Sequence, residues 1–224
     1  HVSTASVDPV AVAGKLTGSC DGTMVHTRET GWRELKAYRF DDETGLRAMG
    51  AAVEPAEFFA GRLRHAALAQ KPREAEDFIF VSDTAEWIKQ AVAEHLPEVS
   101  QHVVDLYHAS EHIHEAARAI YGEGTEQATE WGKRWCQTLL TEGGAVTYQR
   151  LRRARFRSDP AQQALNKLLG YLGRHRDRMD YPRYRREGLP ISSGPMESTC
   201  KQLGSRLKGP GMRWREQNLE PMTR

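Results

Sequence analysis

The chain has 224 residues, of which 39% are apolar and 28% charged, and this balance predicts a soluble globular protein of one large domain or one domain with a sizeable insertion. The sequence shows neither an apolar run long enough to span a membrane nor a signal peptide, and because its first residue is not methionine we expect a fragment or a processed chain. The three cysteines lie far apart and form no CxxC pair, so the sequence supports neither a disulfide framework nor a zinc ribbon, and a reducing cytoplasm is the simplest compartment.

The net charge of +2 conceals an asymmetry along the chain. Residues 1–149 hold 14 Lys/Arg and 23 Asp/Glu, whereas residues 150–224 hold 18 Lys/Arg and 7 Asp/Glu. The basic back part either contacts a polyanion or forms a solvated basic helical surface, and charge alone does not separate these two interpretations.

The first third of the chain predicts strands. Residues 11–27 hold one strong turn signal, Asp21-Gly22, so Asp21 lies in the first strand or just after it. Apolar and polar residues alternate over 32–40, the turn cluster DDETG follows, and 46–53 reads as a return strand, which together predict a hairpin.

Helices and strands then alternate, which is typical of an α/β sheet with some parallel pairs. The patterns predict a helix over 55–70, a strand over 77–83, a helix over 84–96, a strand over 101–108 and a helix over 109–122 closed by Gly122.

The rest of the chain lacks strand patterning until its end. Residues 125–186 hold helix-like stretches and predict a helical insertion, and YPRYRREGLP is expected to be an ordered connector with two prolines. A helix over 196–207 begins near Glu197. We therefore predict a core from 11–122, an insertion from 123–187 and a return to the core from 188–224.

Two aspartates occupy matching places, Asp21 in SCDGT and Asp83 at the end of FVSDT. In an open α/β sheet ligands bind beyond the carboxyl ends of parallel strands, so neighbouring strands would bring the two carboxylates together there. Like charges disfavour ionisation, and a divalent cation resolves that conflict; hard oxygen ligands suit Mg²⁺ or Mn²⁺. Taken singly, Asp21 is also a turn residue and Asp83 a helix N-cap.

Glu197 offers a third carboxylate, at the start of a helix that follows the small, rigid turn ISSGP. A glutamate in a first helical turn is favoured by the helix dipole, which is the ordinary explanation for such a residue. The turn would also let the end of this helix approach the edge of a sheet closely.

These motifs, taken in order, resemble bacterial insertion-sequence transposases of the Asp-Asp-Glu superfamily, and within it the ISKra-type group. The resemblance covers about residues 14–216 and rests on SCDGT, GWRELK, VSDTAEWI, VVDLYHASEHIHEAA, YPRYRREGLPISSGPMEST and LKGPGMRW. It implies an RNase H-like mixed five-stranded sheet flanked by helices, with an all-helical insertion before the glutamate helix. It also implies a truncated C-terminal segment, and the absence of the N-terminal DNA-binding region of a full transposase.

The resemblance implies that Asp21, Asp83 and Glu197 form the catalytic triad and hold two Mg²⁺ or Mn²⁺ ions for DNA strand cleavage and strand transfer. Two such ions clamp the scissile phosphate, one activating the nucleophile and the other stabilising the leaving oxygen. Asp105 and His108, expected at the end of the fifth strand, are given a supporting role, with Asp105 a rival third ligand.

Two positions depart from the family pattern, because Thr84 and Ser192 stand where the family usually has glycine. Neither change removes a carboxylate, although both tighten a turn. They motivate an alternative interpretation, a transposase-derived protein that binds DNA without cutting it.

The implied partners are DNA, as element ends and target, and a second copy of the chain on that DNA, with no membrane. The implied location is the bacterial cytoplasm, at the nucleoid. Basic residues near the glutamate helix and in the insertion are expected to meet phosphates without reading sequence. They are Arg150, Arg152, Arg153, Arg155, Arg157, Lys201, Arg206, Lys208 and Arg213. For Trp214 the sequence allows base stacking or, more simply, a place in the core.

A competing motif lies in HASEH, which fits the H-x-x-E-H pattern of an inverted zinc-protease site. On a helix His108 and His112 lie one turn apart, with Glu111 as the base and Glu115 or Glu130 as a third ligand. The pattern arises easily where four of nine histidines cluster. A solvated helix face is its simplest explanation.

Overall fold

The computed structural model describes Val12 and residues 14–222. The strands of this part are β1 (Leu16–Thr27), β2 (Gly31–Asp42), β3 (Gly45–Ala52), β4 (Phe78–Ser82) and β5 (Gln101–Val104). Its helices are α1 (Ala56–Ala69), α2 (Glu86–His95), α3 (Leu106–Tyr121), α4 (Glu126–Leu151), α5 (Asp159–His175), α6 (Tyr181–Arg186), α7 (Gly194–Leu207) and α8 (Glu216–Met222).

The strands form one mixed sheet in the order β3-β2-β1-β4-β5. β1, β2 and β3 are an antiparallel meander, and β1 is parallel to β4. The protein is therefore an α/β protein with a five-stranded mixed sheet flanked by helices, as the sequence predicts at that level. Within the described residues no helix is long and apolar enough to cross a membrane.

Contacts divide the chain into two compact units. The sheet unit comprises the residues up to His102 and those from Ser193 onward, and the helical unit is Val103–Ser192. The division falls earlier than the sequence boundary at 123, because α3 packs against α4 and α5.

In the sheet unit, alternation along the strands supplies an apolar set to each face. Tyr38 and Phe40 belong to the cluster that contains the buried residues of α1 and α2. Leu35 and Ala37, which alternate with them, belong to a second cluster with Met196, Leu203 and Leu207 of α7. Helices thus cover both faces.

In the helical unit, α3 turns its small apolar residues, such as Ala109 and Ile113, inward. Gly122 ends this helix at φ 94°, and Thr125 caps α4 by accepting a hydrogen bond from the Ala128 amide at 3.1 Å. The buried hydroxyl of Tyr181 donates to the Val104 carbonyl at 2.9 Å, which ties α6 to the end of β5.

Three local predictions are wrong. Asp21-Gly22 is not a turn, because β1 passes through it and both residues pair with β2. The strand predicted over 101–108 ends at Val104, since Asp105 caps a helix that begins at Leu106. The proline-containing connector includes a helix, Tyr181–Arg186, with Asp180 as its N-cap and proline in its first turn, where proline is tolerated.

Candidate active site

Asp21 and Asp83 lie side by side in the register of two parallel strands. The last registered pair of β1 and β4 is Cys20 with Ser82, so the next residues along the chain are the two aspartates. Because successive residues point to opposite faces, both carboxylates belong to the face opposite Cys20, where α7 packs. The carboxylates are half-buried there.

The charges of Asp21 and Asp83 both affect the pKa of the buried Cys20 thiol. Burial is the main reason that its pKa lies well above the usual value, and the charges of Asp21 and Asp83 raise the pKa further.

Each aspartate also makes the local bond that its sequence position suggests. Asp21 Oδ1 accepts from the Gly22 amide at 2.6 Å, and Asp83 Oδ1 accepts from the Ala85 amide at 2.9 Å before α2. These bonds orient the carboxylates. They are compatible with cation binding, because an ionised carboxylate has two oxygens and about four lone-pair positions.

Glu197 lies in the first turn of α7, the helix that packs over β1 and β2. Its side chain is 62% exposed and pairs with Lys201 at 2.7 Å, one turn further along the helix. Exposed pairs of this kind contribute little to stability, so the carboxylate can exchange this partner for another cation.

Cys200 joins the glutamate helix to the first aspartate. Its thiol is hydrogen-bonded to Asp21, and burial, the Asp21 charge and this hydrogen bond raise the pKa of Cys200 to about 12. The thiol is therefore protonated at neutral pH and donates to the carboxylate. Sequence reasoning missed this residue, although its position three residues after Glu197 places it one turn along the same helix.

Arg39 is a second link between the sheet and α7 that sequence reasoning missed. Its guanidinium forms a bidentate pair with Asp41, with bonds of 2.6–3.0 Å, and also donates to Thr199 Oγ1 at 3.2 Å. Thr199 is buried on α7. The only sequence signal for this pair was that Arg39 and Asp41 lie two residues apart on a strand, so that their side chains share one face. A bidentate Arg–carboxylate pair has a fixed geometry, which orients the guanidinium.

The structure thus brings Asp21 and Asp83 together and brings α7 to Asp21 through Cys200. Within Val12 and residues 14–222, no three His, Cys, Asp or Glu side chains are gathered closely enough to hold a metal ion without rearrangement. The two aspartates and Glu197 nevertheless fit Mg²⁺ or Mn²⁺ by their chemistry, because all three are hard oxygen donors.

The two supporting residues belong to the helical unit, where Asp105 is buried and His108 is half-buried. Asp105 accepts from the amides of Tyr107 and His108 at 2.7 and 3.1 Å, which makes it the N-cap of α3. His108 is therefore in the first turn of a helix and not at the end of a strand, which corrects its predicted place.

The competing H-x-x-E-H residues form an aromatic cluster. The rings of His108 and His112 are 4.9 Å apart edge to face, and His112 lies 3.9 Å from the Tyr171 ring. Burial is the main cause that lowers the pKa of His112, and the nearby charge of His108 also lowers it. Glu115 pairs with His112 at 3.7 Å and with Lys167 at 3.6 Å.

The candidate DNA-contacting residues are surface cations in both units. Arg150 pairs with Glu142, and with Arg153 it borders a concavity of about 310 Å³ at the end of α4. Arg155 donates to two carbonyls of its own loop at 2.7 Å. Lys208 contacts Thr23 of β1. The remaining side chains of the set are exposed: Arg152, Arg153, Arg157, Lys201, Arg206 and Arg213.

Trp214 differs from the candidate cations, because it is partly buried. The ring packs against the cluster under α7, and its indole N–H donates to the Leu207 carbonyl at 2.9 Å. It therefore lies at the edge of that cluster, and its role on DNA stays a prediction.

Comparison with known proteins adds no family assignment. No protein-family model matches the chain, and no curated protein matches it. The interpretation of this site therefore rests on its residues and their geometry.

Proposed function

We propose that this chain is the catalytic domain of a DNA transposase of the Asp-Asp-Glu superfamily, with an RNase H-like fold. The observation that carries the proposal is the adjacency of Asp21 and Asp83 on parallel strands, with the glutamate helix held to Asp21 by Cys200. The five-stranded mixed sheet, in which β1 lies beside β4, is compatible with an RNase H-like fold and therefore supports the proposal.

Asp21, Asp83 and Glu197 would hold two Mg²⁺ or Mn²⁺ ions, which when bound supply charge at the scissile phosphate and an acidified water. The protein's own residues set the geometry of that site. The Cys200 thiol donates a hydrogen bond to Asp21 and orients that carboxylate, and Arg39 holds α7 through its hydrogen bond to Thr199. Glu197 gives up Lys201 as its partner, and the released ammonium group is then available to a DNA phosphate.

The surface cations serve the same reaction by holding the substrate. Guanidinium and ammonium groups bind phosphates in a salt-dependent way that carries no base specificity. A transposase joins two DNA ends, so we expect the chain to self-associate on DNA.

The test is nicking of a labelled DNA duplex with Mg²⁺ or Mn²⁺. We expect cleavage by the wild type that stops in EDTA and falls by at least about a hundredfold in Asp83→Ala and in Glu197→Gln, because each removes a carboxylate oxygen that would hold the ions. Glu123→Ala is the matched control, since Glu123 is an exposed acidic residue of the α3–α4 loop, and it should cleave like the wild type.

Two results would contradict the proposed nuclease activity of this site. Cleavage that persists in Asp83→Ala and Glu197→Gln would place the activity elsewhere. Salt-sensitive DNA binding without any metal-dependent nicking would favour the alternative interpretation, a transposase-derived protein that binds DNA without cutting it. Thr84→Gly and Ser192→Gly would then be the first variants to test for recovered cleavage.

A further inference from the structure

One face of the β1–β2 hairpin is apolar and uncovered toward its tip. Leu16 and Cys20 of β1 are buried in the cluster with α1 and α2. Met24, on the same face by alternation, is 46% exposed. Trp32, paired across the strands with His26, is 64% exposed and has the His26 ring against it at 5.3 Å, edge to face. Folding does not bury this tryptophan.

The chain after α7 brings cations to the same place. Trp214 forms a parallel bridge with Thr27, and its amide and carbonyl bond to His26 and Arg28 at 3.0 and 2.8 Å. Trp214 is partly buried against the cluster under α7, and its neighbours Arg213 and Arg215 are exposed.

The three arginines Arg28, Arg213 and Arg215 border a concavity of about 470 Å³, whose other lining residues are Gly211, Met212, Trp214 and Asn218. Arg28 Nε donates to the Arg213 carbonyl at 3.1 Å, so the backbone of the segment holds the guanidinium in place. The Trp214 amide donates to the carbonyl of His26, and the His26 ring lies against Trp32, which connects the concavity to that side chain. We call the concavity together with Trp32 the hairpin face.

The charges near the hairpin face leave it cationic. Glu34 pairs with Lys36 at 2.8 Å, and Glu216 pairs with Arg33 at 3.2 Å. Glu29 accepts from the backbone amide of Glu216 at 3.2 Å. In the part of the chain that the structure describes, Arg28, Arg213 and Arg215 form no ion pair with a carboxylate.

We propose that the hairpin face binds a single DNA strand, with the three guanidinium groups on its phosphates and an unpaired base stacked on Trp32. Exposed aromatic rings beside cationic grooves are the general means of holding single strands, because every base has a π-face and every nucleotide a phosphate. Only the choice of DNA as the polyanion rests on the proposed function. The charge favours a polyanion over a second copy of this chain, whose hairpin face carries the same charge.

The experiment measures binding of a labelled oligo-thymidine strand and of a duplex in EDTA, between about 50 and 200 mM salt. In the triple variant Arg28→Ala/Arg213→Ala/Arg215→Ala, the slope of log affinity against log salt for the single strand should fall by about 2, since each phosphate contact contributes about 0.7. Arg73→Ala is the matched control, because Arg73 is an exposed arginine of the sheet unit outside the hairpin face, and it should change little.

Substitutions of Trp32 distinguish the contribution of base stacking to single-strand binding from that of the arginine charges. Trp32→Ala should weaken single-strand binding about tenfold, leave the salt slope unchanged and affect the duplex much less, whereas Trp32→Phe should restore most of the affinity. Far-ultraviolet circular dichroism checks that each variant is folded.

Unchanged single-strand binding in the triple variant, or an equal loss for Trp32→Ala and Trp32→Phe, would overturn the inference. Loss of self-association without DNA in Trp32→Ala, measured by sedimentation, would instead make the hairpin face a protein interface. Failure of the proposed function gives a different result, because the wild type would then nick no DNA with Mg²⁺ or Mn²⁺, whereas the binding measurements in EDTA do not depend on nicking.

Discussion

At the scale of a single residue, Cys200 shows how burial and a neighbouring charge define a side chain's chemistry. Its pKa is raised from 9.0 to about 12 by burial, the Asp21 charge and the hydrogen bond to Asp21. Since the thiolate is the reactive form, a rise of about three units lowers its population near neutral pH about a thousandfold. The thiol is thus a hydrogen-bond donor and not a nucleophile.

We therefore expect iodoacetamide to alkylate Cys200 at least about a thousandfold more slowly in the native protein than in the urea-unfolded chain, at one pH and in EDTA. The native rate should rise about tenfold for each pH unit, because the thiolate fraction does so at every pH below the pKa. Mass spectrometry of the alkylated peptides measures both rates. A native rate that levels off below pH 9 would contradict the raised pKa.

The carboxylates show how much of the candidate site can be predicted from the sequence at this scale. Asp21 and Asp83 could be predicted as a pair because each belongs to a strand signal, and β1 and β4 are parallel neighbours whose last registered pair, Cys20 with Ser82, immediately precedes the two aspartates. The contact of Cys200 with Asp21 could not be predicted, because it depends on how α7 rotates as it docks. Neither sequence spacing nor residue type fixes that rotation.

At the scale of an element, tertiary partners overrode two local signals. Asp21-Gly22 is a strong turn signal, yet the strand β1 continues through these two residues. The strand pairs with β2 from Thr17 to Thr27 and with β4 over its first part, and this pairing outweighs the local signal. The strand that begins at Gln101 was recognised, and its end was predicted at Asp105 or a little beyond. It ends at Val104, since Asp105 satisfies the first amides of α3 and starts the helix there.

A break inside α4 was not predicted either, and its cause is Gly143. This residue has φ 83° and ψ 171°, a conformation that is essentially confined to glycine, and it joins two helical stretches across a kink. An added Cβ there would lie 3.2 Å from the Met179 carbonyl oxygen. The kink allows the second stretch of α4 to pack against the segment before α6.

Gly143→Ala should therefore lower the free energy of unfolding by about 1–3 kcal/mol, the usual strain of a non-glycine residue in this region. Gly170→Ala is the matched control, because Gly170 lies within the regular helix α5 and an added Cβ meets only a flexible arginine end at 3.7 Å. That change should stabilise by up to about 1 kcal/mol. Urea denaturation followed by circular dichroism measures both. Equal effects of the two substitutions would show that the backbone at Gly143 is not strained.

At the scale of the whole molecule, the fold redistributes the charge asymmetry of the sequence. The acidic front and basic back meet near residue 150, whereas the units divide at His102 and Ser193. The helical unit holds 15 Lys/Arg and 11 Asp/Glu, so its net charge is only +4. Attraction of a polyanion must therefore come from local clusters, and not from the net charge of a unit.

The loop after α4 is one of these clusters, with Arg152, Arg153 and Arg157 exposed within six residues. Replacing all three by alanine should reduce the slope of log affinity against log salt for duplex DNA by about 2–3, because each lost phosphate contact removes about 0.9. Binding titrations at several salt concentrations measure the slope. Local attraction predicts this loss even though the unit as a whole is only weakly basic.

A second triple variant removes the same charge from another place in the helical unit. Arg118, Lys133 and Arg134 are exposed on the helices α3 and α4, and their replacement by alanine changes the net charge equally. If the cluster binds DNA, only the loop variant loses the slope. If both variants lose it equally, net charge governs the affinity, and the arginines of the loop are a solvated surface with no defined phosphate contacts.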